Sequence, residues 1–140
     1  MRGDSYLKQF ISSHLLDLHT AMPCRVESFA AGKAELQPLF KRKEKGKEAE
    51  SYPPILEAHA LSQRFIIKDK YVSSVSSEHA LSYTEEEIER EVTPVYKKGD
   101  IVYVVFAERA LDNVISGSEA DPEFSRHHAL EDAVIVGLIQ

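Results

Sequence analysis

A single cysteine, Cys24, sits in the run Met22-Pro23-Cys24-Arg25-Val26 and has no second thiol for an internal disulfide. A nucleophilic cysteine needs a partnered histidine, and this strand-like setting favours a buried, inert thiol instead. The adjacent His127 and His128 suggest a metal site, with Glu123, Glu131 or the distant His19 as further ligands. Neighbouring side chains on one loop rarely point the same way, and zinc sites show tighter ligand spacing. The pair therefore reads as a structural His128 beside an exposed His127. His14, His19, His59 and His79 stand singly and read as ordinary surface or half-buried residues.

Two charged runs invite binding functions. Lys41 to Lys47 is basic, with Phe40 adjacent and Tyr52 close, which is the material of a single-strand nucleic-acid groove. Glu44, Glu48 and Glu50 interrupt the positive charge, so a solvated hairpin tip is the expectation. Glu85-Glu86-Glu87-Ile88-Glu89-Arg90-Glu91 is acidic but lacks the Asp-rich, Gly-centred spacing of a calcium loop. No nucleophile motif, P-loop or dinucleotide fingerprint is present, and no carboxylate pair stands out as acid and base. The expectation is a protein that is not an enzyme, with no catalytic or metal residues and no cofactor.

Charge divides unevenly: residues 1–70 carry a formal +3 and residues 71–140 a formal −9, giving −6 for the chain. A net acidic domain gains little from counterion release on a phosphate backbone, so nucleic acid is an unfavoured partner. It can still meet a basic protein surface. Lys8, Gln9, His14 and Asp17 break up the stretch from Tyr6 to Leu18, leaving no signal-peptide core. Nothing reaches the apolar length of a membrane span, so synthesis and folding in a cytoplasm are expected.

The elements that must position these residues begin with an amphipathic helix from Asp4 to Leu18, with Asp4 capping its first turn. It can pack on its own barrel or on a copy of itself. Strands follow. Cys24 to Phe29, with Val26 and Phe29 inward, turns through Ala30-Ala31-Gly32-Lys33 into Ala34 to Phe40, where Pro38 marks an edge or bulge. Ile55 to Leu61 is a third strand. Ile101 to Phe106, apolar on both faces, is a central one, and Ala133 to Ile139 a fifth, where Gly137 suggests a bulge or close contact. From Arg64 to Val95 the pattern reads as a decorated loop, with Phe65-Ile66-Ile67 and Tyr71-Val72 strand-like and Thr84-x-x-Glu87 opening one or two helical turns. Five strands in this order predict an all-β, five-stranded OB-type Greek-key barrel at 19–140 behind a helix at 1–18.

Six segments, in order, resemble the N-terminal OB domain of the membrane-puncturing central spikes of contractile-tailed phages. They are Leu18 to Val26, Ala34 to Leu39, Tyr52 to Leu56, Lys98 to Val102, Phe106 to Asp112 and His128 to Ala133. The resemblance implies structural roles for Pro23, Gln37, Pro38, Gly99, Asp100, Arg109, Asp112, His128, Leu130 and Asp132. Gly99 would release a tight turn from strain and Asp100 would bond nearby amides. Arg109 and Asp112 would pair, and His128 and Asp132 would cap or brace a turn before the last strand. It further implies a homotrimeric structural collar at a virion tail tip or baseplate, docked on the tail hub and capping the tube. A single-stranded nucleic-acid-binding OB module is the alternative. Such spikes usually continue into a β-helical needle with a His-x-His tip. This chain ends at Gln140, so the piercing step is not expected of it, and its segment from about Tyr71 to Val92 is longer than the resemblance implies.

Overall fold

The structure is a computed structural model that describes residues 2–77, 80–121 and 125–140. His79 and Glu123 lie outside these residues. One compact unit comprises residues up to Leu61 and from Val95 onward; a second comprises Ser62–Pro94.

The first unit begins with helix α1 (Arg2–Asp17), which places Asp4 inside the first turn rather than at a cap. Five strands then close a barrel: β1 (Ala21–Ala30), β2 (Lys33–Pro38), β5 (Ile55–Ala60), β8 (Ile101–Phe106) and β9 (Ala133–Leu138). Their order around the barrel is β1-β2-β5-β9-β8, with β8 pairing back onto β1. All pairs are antiparallel except β5 with β9, which needs a long crossover. This is the OB-type Greek-key barrel that the strand pattern predicts. Two minor strands, β3 (Lys41–Arg42) and β4 (Glu50–Ser51), form a small hairpin between β2 and β5.

Side chains of a strand alternate between faces, so the inward sets meet along the barrel axis. Met22, Cys24 and Val26 of β1 face Ala34 and Leu36 of β2, Ile55 and Ala58 of β5, Val102, Val104 and Phe106 of β8, and Ala133 and Ile135 of β9. Bulges between Val26 and Ser28 and between Tyr103 and Val104 curve the wall. The second lies opposite Gly137, as its position in the strand suggests. Phe29 is half-buried and stacks edge-on against the buried Tyr96, with centroids 5.3 Å apart. Burial raises the Cys24 thiol from its ordinary 9.0 to about 11. The β1–β2 turn puts Ala31 at φ 51° and Gly32 at φ 76°, the left-handed pair that suits strand twist.

The second unit corrects the reading of 64–95 as a decorated loop with a helical turn. It is a long antiparallel hairpin of β6 (Ile66–Ser77) and β7 (Ala80–Glu91), in register from Ile66 opposite Glu91 to Ser77 opposite Ala80. Glutamates are placed here by pairing across the ladder: Lys68 lies 3.6 Å from Glu89 and Arg90 3.8 Å from Asp69. A helix cap signal is local, and this non-local pairing overrides it.

Candidate functional site

A group of charged side chains gathers beside β5, contributed by residues between β8 and β9. Asp132 ends a short 3₁₀ turn (Leu130–Asp132) and is buried. Its carboxylate accepts the Leu111 N–H at 3.0 Å and both arms of the Arg126 fork at 3.1 Å. Its carbonyl accepts the Ala107 N–H at 3.0 Å, so one residue ties both ends of the loop. Arg126 also binds Asp112. The hydrogen bond to Asp132, and then that to Asp112, raise the pKa of its guanidinium.

This corrects one expected pairing. Asp112 pairs with Arg126, while Arg109 is exposed with its Nη1 2.7 Å from Nε2 of His127. His128, ahead of the turn before β9, sits at φ 46° with Nδ1 3.1 Å from the Phe106 carbonyl oxygen, and its N–H donates to Ala107 O at 3.1 Å. The clasp itself is real but its cation is Arg126, which the sequence reading missed. Arg126 lies 14 residues from Asp112 and 6 from Asp132, and no fixed spacing marks such a partner.

The other expected residues lie at joints of the barrel. Gly99 takes φ 94° and donates to Val26 O at 2.8 Å. Asp100 accepts the Lys97 N–H at 2.7 Å on its carboxylate, closing the Lys-Gly-Asp turn. Gln37 donates to Tyr52 O at 3.0 Å, tying the end of β2 to the chain entering β5. Pro38 is buried as the last residue of β2, Pro23 accepts the Leu39 N–H at 3.1 Å, and Leu130 packs on the core.

Between β5 and the clasp lies a cleft of about 300 Å³ lined by Glu57, His59, Asp112, Arg126, Glu131 and Asp132 together with Leu111 and Ile115. Four of these eight are carboxylates. Glu57 is bound by Lys33, whose hydrogen bond and charge lower its pKa. OB barrels take oligonucleotides on their second and third strands and the flanking loops. Here the two strands present Lys33, Glu35, Gln37, Leu56, Glu57 and His59, acidic overall and without a Phe, Tyr or Trp platform for bases, while the exposed Phe40 stands just past β2. At the basic hairpin, Glu44 engages Arg42 at 3.1 Å and Lys47 at 2.6 Å, which spends charge inside the tip. Among the described residues no three His, Cys, Asp or Glu side chains converge to hold a metal ion. No described helix is long and apolar enough to cross a membrane.

The fold is thus of the OB type, with its polar residues organised as clasps. In comparison with known proteins, no family model matches the chain and no curated protein is significantly similar to it.

Proposed function

We propose that this chain is a non-enzymatic structural part of a phage or phage-like tail tip: a homotrimeric OB collar of the central spike that docks on the tail hub and caps the tube. The observation that carries the reading is where the resembling residues fall. Gly99, Asp100, Gln37, His128 and Asp132 are spent on backbone joints of the barrel, as expected of a part that bears load. The acidic OB wall without stacking aromatics argues against the nucleic-acid module. A spike lies on the axis of a tube, which calls for cyclic symmetry. Light scattering on the purified chain tests the reading: the expected mass is near three times 15.8 kDa. A single-chain mass, or submicromolar binding of single-stranded DNA at physiological salt, overturns it.

A further inference from the structure

From Gly3 to Leu18 every residue of the leading segment is exposed. At about 100° per residue, Leu7, Phe10, Ile11 and Leu15 share one arc of α1 with His14 among them and Asp4 at its N-terminal end, and Leu18 follows just past the helix, while Ser5, Gln9, Ser12 and Leu16 fill the opposite arc. Leu7, Phe10, Ile11 and Leu15 are between 50% and 62% exposed. Helices this short are marginal in water and owe most of their stability to packing of an apolar face. The barrel does not supply that packing. It does fix the base of the helix: the His19 ring meets Tyr52 edge-on at 5.2 Å, and Phe106 N–H donates to Thr20 O at 3.1 Å.

The geometry points to other copies of this chain as the occupant, with the α1 helices packing stripe against stripe. This rests on the assembly proposed above and names the surface that holds it. Leu7, Ile11, His14 and Leu18 follow at intervals of four, three and four, the seam spacing of helices that run alongside one another. The stripe offers on the order of 600–800 Å² per copy, close to one partner's share of a stable interface. A lipid surface would call for a basic polar face. The opposite arc instead carries serines, Gln9 and Leu16 with Lys8 only at its edge, and Asp4 and Asp17 add negative charge to the helix. Cyclic symmetry would set each His14 level with its copies, a polar seam position of the kind that fixes register.

Sedimentation velocity on the full chain over roughly 1–100 μM tests this. Ile11→Asp with Leu15→Asp should weaken association at least about 100-fold. The barrel should still melt as in the wild type, because Ile11 and Leu15 lie on an exposed helix outside the core. Leu7→Ser with Leu18→Ser is the milder second variant, and Gln9→Asp with Ser12→Asp on the polar arc should associate like the wild type. An assembly that survives both stripe variants overturns the helical seam while leaving the trimer reading in place. A stripe-dependent dimer supports the seam and overturns the trimer. A wild type of single-chain mass overturns both.

Discussion

The barrel and the β6–β7 hairpin are built from strands of one chain, yet they are held in different ways. In the barrel Val26, Leu36, Val102, Val104 and Ile135 are 0% exposed. In the hairpin Ile66 is 61% and Ile67 44% exposed, and cross-strand ion pairs such as Lys68 with Glu89 lie in solvent. Exposed pairs of this kind contribute little, and a lone two-stranded ribbon is marginal in water. Strand content alone therefore does not locate stability; closure around an interior does.

The sharpest way to break this comparison is a pair of truncations. Leu36→Ala should destabilise the barrel by about 2–5 kcal/mol, against about 0.5 kcal/mol or less for Ile67→Ala. Thermal unfolding reads both, and equal losses would erase the distinction. The next effect concerns the clasp. Asp132→Ala strips the Leu111 amide and the Arg126 fork of their acceptor and should cost about 2–3 kcal/mol. Arg109→Ala, at an exposed site, should stay within about 0.5 kcal/mol. A double-mutant cycle should show coupling between Asp132 and Arg126, and additivity between Arg109 and Asp112.

Gly99→Ala ranks third. No atom lies within 4 Å of an added Cβ, so the whole cost is the left-handed backbone at φ 94°. Chemical denaturation should register about 1–2 kcal/mol. The smallest effect is absent at neutral pH. Because burial raises the Cys24 thiol to about 11, its contribution to stability is complete below about 9 and fades as pH climbs through 11. Melting curves across that window should decline more steeply for the wild type than for Cys24→Ala.

What the sequence made legible was local. Alternation marked the first two barrel strands and a run apolar on both faces marked β8, and Lys97-Lys98-Gly99-Asp100 identified its turn because Gly and Asp act on neighbouring backbone. The second arm of the hairpin was missed because Thr84-x-x-Glu87 is a valid local signal for helix. Its strand character depends on partners such as Ile66 opposite Glu91, with Lys68 facing Glu89. That mirrored order of opposite charges was the sign available. Arg126 was missed for the same reason, since its partners are joined by folding and not by spacing. Legibility stopped where pairing became non-local.

Both borders of the hairpin segment belong to the barrel: Leu61 N–H donates to Ile135 O at 3.0 Å, and Tyr96 is buried against Phe29. Everything from Ser62 to Pro94 is therefore a passenger between two moored points. The entropy of closing such a loop rises by only about 0.6 kcal/mol for each doubling of its length. The barrel should thus accept a cargo of very different size at this position, which makes it a natural port for exchanging one appendage for another while the frame stays the same.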